Sequence, residues 1–193
     1  MSFDVLFDFE NALADYTGAP YVVVTDGCTH AIELAMRCYQ VNKVEFTAYT
    51  YLSIVMTMGE LGVEYKLTDE QWTGEYQFHG TNIWDSARRL EPNMYRLGQV
   101  QCLSFGNTKP LELGKGGAIL LDDPDAYYLL SCMRSDGRNL RITPWQTQSI
   151  FKQGYHYCPT LELCKQGIEQ LPQITPQCQT AKYPDCRQIT IVH

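Results

Sequence analysis

The sequence predicts an α/β domain in which a mostly parallel sheet is flanked by helices. Three observations carry this expectation. Short β-branched or apolar runs alternate with helical patterns from residue 21 to residue 133, and the early runs pass through tight turns straight into helices. The chain has 193 residues, 45% hydrophobic and 19% charged, which is enough for one buried core without disulfide support.

The elements follow in order. Phe3, Leu6, Phe7, Phe9 and Leu13 recur at helical intervals over 3–16, and Thr17-Gly18 is a C-terminal stop. Tyr21 to Thr25 is a buried strand that runs through Asp26-Gly27-Cys28-Thr29 into a helix around 31–36. Val44 to Phe46 begins a second unit, helical through Ile54, Val55 and Met58 and stopped by Gly59 and Gly62, with a strand resuming at Val63 to Leu67. A polar stretch follows, broken by Tyr76 to Phe78, until Asn82 to Trp84 gives a short strand ending at Asp85. Strands are expected at 101–105 and 117–121, joined by a glycine-containing loop over 106–116, and a helix at 124–133 capped by Asp122 or Asp123. Prolines at 172, 176 and 184 without periodicity make 172–193 an extended tail beside a single 1–171 domain.

Composition narrows the function. Twenty-two acids against 15 bases give a formal charge of −7, and the one adjacent basic pair is Arg88-Arg89, so a nucleic-acid partner is not expected. No apolar run approaches the roughly 18 residues that span a bilayer, so no membrane partner is expected. The first ten residues hold three acids and no base, unlike a signal peptide, and the eight cysteines are read as reduced thiols of a cytoplasmic protein. No C-x-x-C pair occurs, and no metal site is expected.

Three places carry candidate chemistry. Gly27, Cys28, Thr29 and His30 lie where a strand turns into a helix; such a turn either connects elements or offers free N–H groups and a helix dipole to an anion. Asp85 either caps a helix or, at the carboxyl end of a strand, faces a ligand cation. Lys109 follows a strand within a loop, where it is either solvated or held in a cleft as an amine that condenses with an aldehyde. With the aromatic face of Tyr51, these groups form the set that pyridoxal phosphate (PLP) requires.

Their order resembles the DegT/DnrJ/EryC1/StrS family of PLP-dependent sugar aminotransferases, from about Phe9 to Leu171. The segment from Asp26 to Ala35 is similar to the family's phosphate turn, Ala48-Tyr49-Thr50-Tyr51 to P-A-Y-T-F, Trp84 to Arg88 to E-D-A-A-Q, and Ser104 to Leu111 with Gly114 to Ala118 to S-F-H-P-T-K-N-L and G-E-G-G-A. Arg134 to Gly137 resembles L-R-N-H-G, and Gly154-Tyr155-His156-Tyr157 resembles the G-Y-N-Y that a partner subunit brings to the cofactor phosphate. The resemblance implies a reduced fold-type-I large domain lacking most of the C-terminal domain, and a homodimer. It implies Lys109 as the Schiff-base lysine and Asp85 on the pyridine nitrogen. Tyr51 would stack on the ring, Arg88 would lie beside the phenolic oxygen, and Ser104, with Gly27 to His30 and His156, would bind phosphate.

The activity implied is amino transfer from an amino acid, glutamate by family resemblance, to a keto-sugar nucleotide or similar small-molecule carbonyl. The alternative is a PLP-binding or partner-binding homologue without turnover. Thr68 to Ile83 is too short for the family's further βα units, so the sheet is expected to have lost strands. Arg88 replaces Gln or His, His156 replaces Asn, and Cys158 stands where the family has Arg.

Overall fold

The computed structural model describes residues 3–180 and 182–191. Helix α1 (Asp4–Thr17) buries Leu6, Phe9 and Leu13 and ends on Gly18, whose φ of 76° is the left-handed stop the sequence signals. Strand β1 (Tyr21–Thr25) leads into α2 (Cys28–Cys38). Strand β2 (Lys43–Thr47), α3 (Leu52–Leu61) and β3 (Glu64–Thr68) form a right-length crossover unit with parallel strands. Short strands follow at β4 (Tyr76–Gln77), β5 (Ile83–Asp85) and β6 (Arg89–Leu90), then β7 (Val100–Ser104) and β8 (Gly117–Leu121). Helix α4 (Pro124–Arg134) is capped by Asp123, which accepts from the Asp125 and Ala126 amides.

The α/β class stands, but the sheet is mixed rather than mostly parallel. Its order is β1-β8-β7-β5-β4, and of these four pairings only β5 with β7 is parallel. Connection length explains the difference. The loop 105–116 holds no helix and returns β8 antiparallel to β7, and residues 78–82 suffice only for a hairpin between β4 and β5. The β2–β3 pair meets the sheet edge through a bridge in which Glu45 and His79 exchange backbone bonds of 3.2 and 2.8 Å. Thus β4 occupies the interval where the sequence implied missing strands.

Alternation along the strands builds two cores. Val23, Ile119 and Leu121 pack with Ile32, Phe46, Met58 and Leu130 under α2 to α4, whereas Val22, Val24 and Leu120 pack with Leu6, Phe9, Leu13 and Leu163 under α1. The second core is closed by α5 (Leu161–Gln170), a helix the sequence reading does not anticipate. Its Gly167 lies against the Phe9 ring, where a Cβ would come within 2.3 Å of Cζ.

Of the expected tail at 172–193, residues 181, 192 and 193 lie outside the described set, and the described ones hold a short strand and short 3-10 turns. These pack against the fold. Strand β9 (Gln177–Cys178) pairs with β6, and the Cys186 amide donates to the Ala48 carbonyl at 3.0 Å. Among the described residues no helix is long and apolar enough to cross a membrane.

Beneath the sheet end a buried ion pair joins three elements. Arg134 of α4 donates to Glu10 of α1, and its Nη1 also donates to the Val24 carbonyl at 2.8 Å, while the Val24 amide donates to Glu10 Oε1 at 3.0 Å. Both side chains are at most 5% exposed. Removing one partner strands a buried charge, so Glu10→Ala is expected to cost about 3–5 kcal/mol in urea unfolding. Adding Arg134→Met to it should recover part of that loss, the non-additivity that marks a coupled pair.

Candidate active site

The carboxyl ends of β1, β5 and β7 point the same way, and a cleft of about 550 Å³ opens beyond them, the usual ligand position in an open α/β sheet. Gly27, Cys28, Thr29, Tyr51, Asp85, Arg88, Ser104 and Lys109 all line it. Eight of the ten residues singled out from the sequence are therefore brought together.

At its base lies the start of α2. The N-cap is Gly27, which has no side chain to satisfy the first amides, so the opening N–H groups and the positive end of the helix dipole face the cleft. The turn sits directly on the sheet because β8 begins with glycine. A Cβ at Gly117 would fall 2.5 Å from the Cys28 nitrogen and 2.7 Å from the Gly27 carbonyl carbon, both backbone atoms. Thr29 Oγ1 lies 2.7 Å from Ser53 Oγ of α3, tying the two helix starts together.

Asp85 is buried at the end of β5. No helix follows it, so the capping alternative gives way to a turn in which Oδ1 accepts from the Ala87 amide at 2.9 Å. Its Oδ2 accepts from the Tyr76 hydroxyl at 3.0 Å. Burial pushes the carboxyl above the ordinary range; the Ala87 and Tyr76 hydrogen bonds and the Lys109 charge pull the other way without offsetting it. The Cys28 thiol nearby is pushed well up by burial and by Asp85, and stays neutral.

Lys109 lies in the 105–116 loop, its amide donating to Gly106 at 3.3 Å, and Ser104 Oγ accepts from the Gly106 amide at 3.4 Å. Tyr51, 60% exposed, stands at the other wall. Arg88 donates through Nη1 to Gln179 Oε1 at 3.1 Å and faces the Tyr183 ring at 5.7 Å, while its Nε is buried without a partner.

Two predicted residues do not line the cleft. His30 turns back to Asp26, Nδ1 to Oδ1 2.5 Å, and stacks on Tyr157 at 3.7 Å; only its amide stays with the helix start. His156 is 88% exposed and pairs with Asp136 at 3.0 Å, because the backbone on either side is docked by Tyr155 to Met133 and by Tyr157 to Arg134. Asp26 itself is held below its usual range: burial opposes this, but His30 and Lys115 prevail.

The sequence reading missed Trp72, Tyr76 and Tyr183. Trp72 and Tyr183 stack at 6.0 Å along one wall, with Tyr51 6.2 Å from Tyr183. Tyr76 had a signal, the short apolar run from Tyr76 to Phe78, whereas Tyr183 sits in a stretch with no periodicity.

Comparison with known proteins shows the family and the fold. The model of the DegT/DnrJ/EryC1/StrS aminotransferase family matches residues 4–71 and 91–179. Among solved structures, AtS13 from Actinomadura melliaura aligns at TM-score 0.75 and 18% identity over 89% of this chain and 60% of that one. PseC from Helicobacter pylori, an aminotransferase in pseudaminic-acid biosynthesis, aligns at 0.71 and 14% over 88% and 57%. GDP-4-keto-6-deoxymannose-3-dehydratase with a trapped PLP-glutamate geminal diamine aligns at 0.70 and 14% over 88% and 61%. The chain thus spans about 60% of the length of these structures. No curated protein matches the sequence.

Two outcomes follow from the geometry. Gly117→Ala must displace the Gly27-Cys28 backbone, so an overpacking loss of about 1–3 kcal/mol is expected in denaturant melts, with weakened binding of inorganic phosphate measured calorimetrically. The raised Asp85 carboxyl means the folded state binds more protons than the unfolded one as pH rises above about 3.8, so this group's contribution to stability falls through that window. Asp85→Asn should flatten that fall and raise the melting temperature of the cofactor-free protein at neutral pH; an unchanged pH slope would show that Asp85 is not the group responsible.

Proposed function

Since this chain belongs to the DegT/DnrJ/EryC1/StrS aminotransferase family, we propose that its cleft binds pyridoxal 5′-phosphate. The protein then transfers an amino group from an amino acid, glutamate by the family resemblance, to a keto-sugar nucleotide or similar carbonyl. The observation that carries this reading is that the Lys109 amine and the buried Asp85 carboxyl line one cleft above the uncapped start of α2. The volume lies within the range of cofactor sites, roughly 300–1,000 Å³.

The residues fit the group. The amides of Cys28, Thr29 and His30, with the Ser104 hydroxyl, suit a phosphate. Burial destabilises the Asp85 carboxylate beyond what its two hydrogen bonds and the Lys109 charge offset, and a cationic ring nitrogen is the partner that would relieve it. Tyr51 offers a ring face, and Arg88 a guanidinium charge at the cleft wall for an anionic oxygen. When bound, the cofactor supplies a conjugated ring that draws electron density from the substrate α-carbon. The chain would supply position and proton movement: Asp85 would hold the ring-nitrogen proton, Lys109 Nζ would carry the proton between the substrate α-carbon and the cofactor, and Trp72 with Tyr183 would shield one side from water. Residues 1–171 make up most of the cofactor-binding unit, with Gln179 and Tyr183 from the segment after it completing the Arg88 side, and His156 faces the phosphate of a second copy in a homodimer.

One observation favours a second reading, a cofactor-binding homologue without turnover. At Cys158 the chain places a thiol, pushed up by burial, where the resemblance calls for an arginine. Glutamate separates the two. Purified protein mixed with PLP is expected to take up one equivalent and to show an absorbance band that borohydride fixes covalently, at a mass near twice 22.1 kDa by light scattering. Lys109→Ala should abolish covalent fixation. Loss of the band on adding glutamate supports transfer, persistence supports the second reading, and a colourless protein overturns both.

A further inference from the structure

Residues 72–90 fall between the two stretches that match the family, and they contain Asp85 together with Tyr76 and Ala87, which donate to it. We propose that Tyr76, clamped by Thr50, is the positioning residue that keeps Asp85 ionised and aimed at the cleft. The task assigned to Asp85 rests on the cofactor reading above; the hydrogen-bonded chain itself does not.

Tyr76 and Asp85 are direct partners in the β4–β5 register, which puts both side chains on one face. The tyrosine is 1% exposed, and Trp72 and Phe78 pack edge-on against its ring at 5.1 and 5.4 Å, leaving it little freedom to turn. Its hydroxyl lies 3.0 Å from Asp85 Oδ2 and 2.7 Å from Thr50 Oγ1. An ionised carboxylate only accepts hydrogen bonds, so Tyr76 must donate to Asp85, and its oxygen is then free to accept from Thr50. The chain therefore runs in one direction, from Thr50 through Tyr76 to Asp85.

Other groups near Asp85 do not replace it. Cys28 from α2 and Cys102 from β7 have thiols pushed well above their ordinary range by burial and by Asp85 itself, so they are neutral and bring no compensating charge. Lys109 from the 105–116 loop acts on Asp85 through charge alone. The Ala87 amide serves Oδ1. Without the phenol, Oδ2 loses its hydrogen-bond donor among the described residues, and the neutral acid, which cannot hold a proton on a ring nitrogen, is favoured.

The test follows the carboxyl directly. In cofactor-free protein labelled with [13C]aspartate, the Asp85 resonance is identified by its loss in Asp85→Asn. Tyr76→Phe is expected to raise its titration midpoint by about one pH unit or more, and Thr50→Val to raise it less. In PLP binding, Tyr76→Phe should weaken affinity about tenfold at the acidic end and recover toward the alkaline end, whereas a merely structural loss would be uniform with pH. An unchanged Asp85 midpoint in Tyr76→Phe overturns the proposal. If that variant does not fold, an unchanged midpoint in Thr50→Val does so instead. Should the wild type bind no PLP, the proposed function fails while the titration still decides the role of Tyr76.

Discussion

Arg134 has no water to fall back on, and its position is what the arrangement of the cleft depends on. The guanidinium is shared between Glu10 and the Val24 carbonyl, and Glu10 takes the Val24 amide as well, so α1, β1 and α4 are locked at one point just before β1 turns into α2. A buried pair of this kind contributes little net stability compared with apolar packing, but it is costly to break, and so it selects one alignment of the elements. The Arg134 carbonyl also receives the Tyr157 amide, and the Tyr157 carbonyl receives that of Asp26, which extends the lock to the turn that carries the α2 amides.

The cleft concentrates features that work against folding. Asp85 is buried where ionisation is disfavoured, the α2 start has no side-chain cap, and Arg88 Nε has no partner. Each is a polar group whose best partner is not another part of the chain. Such costs are tolerable because two buried apolar cores lie beneath, and the cofactor proposed above would relieve them by bringing an anion and a cation together. Stability and binding therefore pull Asp85 in opposite directions, which is why replacing the acid by its amide favours the fold while removing the function proposed for it.

Much of this was legible in the sequence. Phe9, Leu13 and Gly18 marked α1 and its end, and the turn at Gly27, the acid at 85 and the lysine at 109 share one cleft because each follows a strand whose carboxyl end opens on the same side. Strand direction was less legible: β7 and β8 look the same whether a helix or a loop joins them, and only the helix-free span 105–116 makes them antiparallel. His30 was misplaced because sequence fixes the amide at a helix start but not the rotamer, and here Asp26 and Tyr157 capture the ring. The role of Tyr183 was hidden because its packing is made by contacts more than a hundred residues away, which no local pattern records.

Those distant contacts explain how one wall of the cleft is made without a helix. The Gly74 amide donates to the Gln179 carbonyl at 3.0 Å, the Gln179 amide to Arg88 at 2.8 Å, and the Arg88 amide to Gly74 at 3.0 Å, closing a ring of backbone bonds between three segments. The β6–β9 pair continues it. Arg88 and Tyr183 are thereby set beside each other on the cleft by the stretch that lies outside the family match and the stretch after α5 acting together. The base of the cleft, from Gly27 to Thr29 with Ser104 and Lys109, is carried by residues within the family match, and Arg88 lies in the interval between its two stretches. The two sides of the cleft are thus built differently: its base by a strand-to-helix turn and the loop after β7, its Arg88 side by backbone bonds between residues 72–90 and 177–187.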